Sequence, residues 1–221
     1  MGAIGRALAN SLTTGGVVSA SAINNTSVTN VTTLPSGADT GDLVLISSQT
    51  ASASATISFT TGLDSTYDEY IFKFINIHPS GADNYFTFNM STDSGSNYNV
   101  TKTTTFFLAQ HGEDGTGASL EYQTGNDLAQ STGFQRLSSP TGNQDADKNI
   151  SGSLTLFNPS STTYVKHFMS VSSNLDMSNY SIQTFTAGYG NTTSAVNAVR
   201  FQMSSGNIDA GTISLYGVKK S

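Results

Sequence analysis

The sequence of 221 residues contains no cysteine, no tryptophan and few charged residues, which make up only 11% of the chain. The absence of cysteine excludes disulfide bonds, thiolate chemistry and cysteine-based zinc sites, so stability must come from core burial or from assembly. Lysine and arginine together number only 9, and the formal net charge is -6. A partner with a phosphate backbone needs a basic stripe on the protein, so we expect no nucleic-acid ligand.

The beginning of the chain also lacks a long apolar run. It has one basic residue, Arg6, and its apolar residues are interrupted by Asn10, Ser11 and Thr13. This pattern matches neither a secretory signal nor a membrane span. We therefore expect a protein that is made in the cytoplasm without a signal peptide and that has no membrane partner.

Small polar residues dominate what is present, with 33 Ser, 30 Thr and 21 Gly. Threonine favours strands because its branched Cβ suits a pleated surface, whereas serine, asparagine and glycine populate turns. The composition predicts an all-β fold with many loops, and the length suits one main domain. No internal repeat of fixed period occurs, which argues against a propeller or a solenoid.

Residues 1–42 differ from the rest because they contain no aromatic residue and only short apolar runs. Such a segment buries too little apolar surface to offset its own ordering entropy. We predict an extended N-terminal anchoring arm over residues 1–42, ordered by a neighbouring subunit, and a β-sandwich domain over residues 43–221. The alternative is that the arm folds back as an edge strand on its own domain. Ile4 to Leu12 fit one short helix.

Alternating or wholly apolar runs recur between turn clusters from Leu43 onward, as expected of a sandwich. The segment from Gln110 to Asn149 is the least regular, and we predict long, exposed loops there with short strands at Ser119–Tyr122 and Phe134–Leu137. About ten longer strands are predicted, at Leu43–Ser47, Thr56–Thr61, Tyr67–Ile77, Tyr85–Ser91, Tyr98–Ala109, Ser153–Phe157, Tyr164–Val171, Tyr180–Tyr189, Val196–Ser204 and Thr212–Val218.

The third of these strands has apolar residues on both sides. Tyr70, Phe72 and Phe74 fall on one face. Ile71 and Ile75 fall on the other, so we expect both faces to be covered and the strand to be central.

Turn residues suggest how other strands pair. Asp93 to Ser96 predict a hairpin of the strands Tyr85–Ser91 and Tyr98–Ala109, with a polar threonine face on the second strand. The turn at Gly206 and Asn207 predicts a terminal hairpin that ends the protein.

The three histidines lie on different predicted elements, and none has a spacing known for metal binding or nucleophile activation. His78 precedes Pro79 at a strand end and is interpreted as a turn residue. His167 shares a strand face with Met169, which favours a core or interface histidine. His111 belongs to a glycine-rich stretch and carries no assigned chemistry.

Acidic residues offer two weak signals. Asp145 to Asn149 resemble the start of a calcium loop, but Ile150 and Leu156 replace the glycine and the bidentate glutamate that the loop requires. Glu113 and Asp114 are adjacent in a glycine-rich loop and point apart, so they do not form an acid pair across a cleft. We expect no catalytic residue, no metal, no cofactor and no enzymatic activity.

Aromatic residues beside loops are the remaining candidates for binding. Tyr98, Tyr122 and Tyr189 are placed to stack on sugar rings, although aromatic residues on strands more often fill the core. A host-surface glycan is therefore kept as an alternative ligand.

Three stretches resemble virion proteins of tailed phages of aquatic bacteria, including cyanophages, a family without an established activity. They are residues 65–79, residues 158–168 and the terminal residues 201–218, and the similarity covers roughly residues 40–221. The resemblance implies a jelly-roll-like antiparallel β-sandwich whose last strand lies inside a sheet.

The same resemblance implies a structural role in a virion, as a capsid decoration or cement protein that packs against the major capsid protein or tail components. A homo-oligomer is expected, with a trimer as the favoured symmetry because closure hides sheet edges. The alternative is a receptor- or glycan-binding module of a tail fibre or spike, with the Gln110 to Asn149 loops as its site.

Overall fold

The computed structural model describes residues 42–143 and 145–220, and the predicted arm and short helix lie outside these ranges apart from Asp42. The described residues include no helix long and apolar enough to cross a membrane. They contain twelve strands: β1 (Leu43–Thr50), β2 (Ile57–Phe59), β3 (Glu69–Pro79), β4 (Phe86–Ser91), β5 (Lys102–Gly112), β6 (Ser119–Tyr122), β7 (Gln135–Arg136), β8 (Ile150–Phe157), β9 (Lys166–Leu175), β10 (Tyr180–Gly190), β11 (Ala198–Met203) and β12 (Ile208–Val218).

The strands form two antiparallel sheets that pack as a sandwich, which confirms the predicted fold class. One sheet has eight strands in the order β1-β12-β3-β8-β9-β10-β5-β6, and the other has four in the order β2-β11-β4-β7. When β5, β6, β9 and β10 are set aside, the remaining eight strands have the order of a jelly roll. That fold consists of two four-stranded sheets connected as Greek keys.

Two inserted hairpins widen only one of the sheets. The hairpin of β9 and β10 and the hairpin of β5 and β6 extend the eight-stranded sheet beyond β8. The four-stranded sheet has no matching extension. The outer side of the large sheet is therefore broad, and its inner side needs cover that the small sheet cannot supply.

The jelly-roll core is an aromatic cluster between the two sheets. Phe72, Phe86 and Phe201 are fully buried. The rings of Phe86 and Phe201 stack at 5.5 Å, and Phe72 meets Phe201 edge to face at 5.3 Å. These three residues lie on the inner faces of β3, β4 and β11, respectively. Side chains alternate between the two faces of a strand, so every second residue of a strand points towards the same face.

A polar layer covers the inner face of the inserted hairpins. Ser172 of β9 donates a hydrogen bond to the backbone oxygen of Leu137 at 2.6 Å, and Thr141 donates to that of Leu175 at 2.7 Å. Leu137, Ser138 and Thr141 are fully buried. The prediction of exposed loops over Gln110 to Asn149 is therefore wrong for this part of the segment, because these residues complete the sandwich.

Both predicted hairpins are also wrong. β4 pairs with β11 and β7, whereas β5 pairs with β10 and β6. β11 lies in the small sheet and β12 lies in the large one. In each case the turn residues belong to an arch that crosses between sheets. β12 itself pairs with β1 and β3, so the last strand does lie inside a sheet.

The strand β3 is central, between β12 and β8, but only one of its faces is covered. Tyr70, Phe72 and Phe74 are fully buried, whereas Ile75 is 54% exposed. The expectation that both faces are covered is therefore wrong within the described part of the chain. His78 is also not a turn residue, because it lies in β3 and pairs with Ala210.

Candidate binding surface

The register of the large sheet aligns outward-facing residues in rows across its strands. We call two neighbouring rows the outer face. The first row is Ser48, Ser214, Lys73, Ser153, Val171, Phe185, Phe107 and Tyr122. The second row is Leu45, Tyr216, Ile71, Thr155, Met169, Ala187 and Thr105.

The outer face is apolar and nearly uncharged. Met169 is 57% exposed, Leu45 is 56% exposed and Val171 is 38% exposed. The rings of Phe107 and Phe185 stack at 4.8 Å. Lys73 is the only lysine, arginine or carboxylate residue in these two described rows, and its Nζ lies 5.6 Å from the centre of the Tyr216 ring.

A depression of about 430 Å³ opens at one end of the outer face, and we call it the outer groove. It forms where the small outward-facing side chain of Ala187 in β10 leaves space between β5 and β9. Gly188 has no room for a side chain, because a Cβ atom there would lie 2.5 Å from the backbone oxygen of Thr103. The lining is completed by Thr103, Thr104, Thr105, Phe157, His167, Phe168, Met169 and Tyr189.

Tyr189 is held at the end of the outer groove by side-chain amides. The Nε2 of Gln130 donates to Thr103 Oγ1 at 2.7 Å and to the Tyr189 hydroxyl at 3.3 Å. Asn191 Nδ2 donates to Gln130 Oε1 at 2.8 Å. The ring of His167 lies 5.9 Å from that of Tyr189. This end of the groove therefore combines an aromatic ring, an imidazole and amide groups.

The outer groove suits binding better than acid–base chemistry. Among the described residues that line it, none is a carboxylate, lysine or arginine. Apolar contact with threonine hydroxyls and one imidazole provides a surface for an apolar side chain or for a sugar ring. His167 and Tyr189 are the only titratable side chains among these lining residues.

Sequence reasoning placed His167 correctly beside Met169, but the shared face points outward and His167 is exposed, so it is not a core residue. His78 and His111 lie elsewhere and do not join it in the groove. Among the described residues, no group of three histidine, aspartate or glutamate side chains is placed to hold a metal ion.

The three candidate tyrosines have different surroundings. Tyr189 lines the outer groove. The Tyr122 hydroxyl donates to Asp127 Oδ2 at 2.6 Å. Tyr98 is covered by the guanidinium of Arg200, 4.0 Å from its ring centre, so it is not a free platform.

Asp114, one of the two adjacent acidic residues of the glycine-rich loop, shapes that loop. Asp114 Oδ1 accepts hydrogen bonds from the backbone and the hydroxyl of Thr116, at 2.9 Å and 2.7 Å. These bonds lower the pKa of Asp114. They stabilise the turn between β5 and β6. Aspartate side chains commonly accept hydrogen bonds from residues two positions later in turns.

Buried lysines are the feature that sequence reasoning missed. Lys102 and Lys166 are fully buried, and both pair with Gly190 of β10. Lys102 Nζ donates to Asn89 Oδ1 at 2.5 Å and to the backbone oxygen of Val100 at 2.7 Å, and burial lowers the pKa of Lys102 to about 7. Alternation along β5 was the available signal. Lys102 falls on the same inward side of the strand as Thr104 and the alternate residues that follow it.

Lys166 makes similar contacts at the neighbouring strand. Its Nζ donates to the backbone oxygen of Tyr164 at 2.6 Å and to that of Thr192 at 3.3 Å. Burial lowers the pKa of Lys166 as well. Both lysines bind loop carbonyls at one end of the sandwich, so their role is to hold loops in place.

The chain matches no family model, no curated protein and no solved structure. A function must therefore be inferred from the outer face and the outer groove.

Proposed function

We propose that this protein is a structural component of a bacteriophage virion, a capsid decoration or cement protein or another subunit of the particle surface. It acts by packing against other virion proteins, either the major capsid protein or tail components, as a homo-oligomer. Residues 1–42 anchor it. Turnover of a substrate forms no part of this role.

The observation that supports the proposal is the outer face. Exposed apolar patches of this kind mark interaction surfaces, and depletion of charge is typical of the centre of an interface. Leu45, Met169 and Val171 are exposed in two rows that contain one charged residue, Lys73. The jelly-roll order of the strands agrees with this role, since capsid domains are among the proteins that use it.

The test is incorporation into particles. Mass spectrometry of purified virions of the encoding phage should detect the chain, and a version lacking residues 1–42 should be absent from virions while the β-sandwich stays folded by circular dichroism. Absence of the full chain from virions would refute the proposed function. Normal incorporation of the shortened chain would refute the anchoring role alone.

A second function, receptor or glycan binding by a tail fibre or spike, is favoured by the outer groove. Tyr189 is held in place there by Gln130, which belongs to the predicted Gln110 to Asn149 loop segment. A glycan array probed with the full chain should then give binding that Tyr189→Ala abolishes. Tyr164→Ala removes a tyrosine that is 70% exposed outside the groove and is the matched control. Binding that survives Tyr189→Ala would exclude the groove as the site.

A further inference from the structure

After Phe168, whose ring is buried in the core, the inward-facing residues of β9 are polar and the outward-facing ones include exposed apolar residues. Ser170, Ser172 and Asn174 face inward and are buried. Met169 and Val171 face outward and are 57% and 38% exposed. A strand whose outer face met only water would gain nothing from this arrangement, because burial of apolar surface is what stabilises it. The pattern therefore indicates that the outer face is covered by another molecule.

The distribution of charge indicates what that molecule is. The formal net charge of the chain is -6, so two copies repel each other over most of their surfaces. The two rows of the outer face contain one cation, Lys73, and no carboxylate. Two copies that meet there avoid like-charge contact between carboxylates.

The outer face is the middle of the outward side of the large sheet, and that whole side is large enough for such contact. Eight strands spaced about 4.8 Å apart, each about eight residues long at about 3.3 Å per residue, span roughly 900 Å². A stable interface of standard size buries about 800 Å² on each partner. Face-to-face packing of sheets is the ordinary way in which two such surfaces bury their side chains.

We infer that the outer face packs against the outer face of a second copy of this chain. A surface that meets itself is related by a two-fold axis, so the assembly is a dimer. Met169, Val171 and Phe185 lie on neighbouring strands in the middle of this contact. The inference deepens the proposed function, on which it rests, by naming the surface through which the homo-oligomer forms.

Sedimentation velocity of the full chain tests the inference. The wild-type protein should sediment as a dimer of its 23.1 kDa chain. Met169→Lys should raise the dissociation constant by more than about a hundredfold, because it buries an unpaired charge in the contact. Met177→Lys is the matched control, because Met177 is 43% exposed in the turn between β9 and β10, and this variant should remain a dimer.

Three results would overturn the inference: a wild-type monomer, a trimer, or a dimer that Met169→Lys leaves intact. Thr155→Lys places a charge at a second position of the same row and should also dissociate the dimer. Dissociation by both variants would show that the effect does not depend on a change confined to Met169. Circular dichroism verifies that each variant is folded. A monomer that is nevertheless found in virions would refute this inference alone, whereas a dimer that is absent from virions would refute the proposed function alone.

Discussion

The buried amine of Lys102 makes the stability of this protein depend on pH near neutrality. Its side chain is fully buried, and its pKa is lowered from 10.5 to about 7. Between these two values the unfolded chain binds a proton that the folded protein has released. Stability therefore rises with pH in this window, and the dependence flattens below pH 6 and above pH 10.5.

The size of the effect follows from the two pKa values. At about 1.36 kcal/mol per pKa unit, the whole shift corresponds to roughly 4 to 5 kcal/mol. Integrated between pH 6 and pH 9, the contribution of Lys102 to the free energy of unfolding should increase by roughly 2 to 3 kcal/mol. The two acceptors of the amine, Asn89 Oδ1 and the backbone oxygen of Val100, match the two protons of a neutral amine, which supports the direction of the shift.

Urea unfolding followed by circular dichroism at several pH values between 6 and 9 measures this dependence. In Lys102→Met the part of the increase that comes from this amine should be lost, so the difference in unfolding free energy between wild type and variant should change by roughly 2 to 3 kcal/mol across the range. Lys220→Met removes an amine whose side chain is 49% exposed and lies outside the outer face, and it should give a curve parallel to that of the wild type. Parallel curves for wild type and Lys102→Met would refute the reasoning.

Two further predictions concern stability. Phe201→Ala removes a fully buried ring that stacks on Phe86, and it should lower the free energy of unfolding by about 3 to 5 kcal/mol in urea titrations. Gly211→Ala should cost more than about 1 kcal/mol, because φ is 116° there and a Cβ atom would lie 2.6 Å from the backbone oxygen of Asn76. Gly125→Ala, with no atom within 4 Å of the added Cβ, is the control and should stay within about 0.5 kcal/mol. A loss below 1 kcal/mol for Phe201→Ala, or equal effects of the two glycine variants, would contradict the packing described.

The sequence was sufficient to predict most strands but not their partners. β6 matches its predicted bounds, and β10 extends only one residue further, to Gly190. Alternation defines which residues share a face, and turn residues define where a strand ends. Neither property distinguishes a hairpin from an arch between sheets. The turn from Asp93 to Ser96 illustrates this, because it connects strands of different sheets.

The candidate site was predictable only in part, for a related reason. The alternation of side chains along β9 correctly placed His167 and Met169 on the same face of the strand. Alternation alone does not indicate which of the two faces packs into the core. Beyond Phe168, the apolar residues Met169 and Val171 of β9 are on the exposed side, so hydrophobicity gave the wrong direction there. The burial of Lys102 and Lys166 was missed because lysine is almost never fully buried, and the residues next to them in sequence do not indicate which oxygen atoms accept their hydrogen bonds.

The inserted hairpins connect fold and function. Their inner side adds the ring of Phe168, a small apolar cluster of Phe106, Leu108 and Ile182, and otherwise a layer of polar side chains, most of them hydrogen-bonded. Their outer side provides Met169, Val171, Phe185 and Phe107. Since an isolated hairpin is marginally stable and these two bury little apolar surface inward, contact with a partner on the outer side would supply the stabilisation that the inner side lacks. The hairpins would therefore become more resistant to hydrogen exchange when the outer face is occupied, while the aromatic core between β3, β4 and β11 would be unaffected.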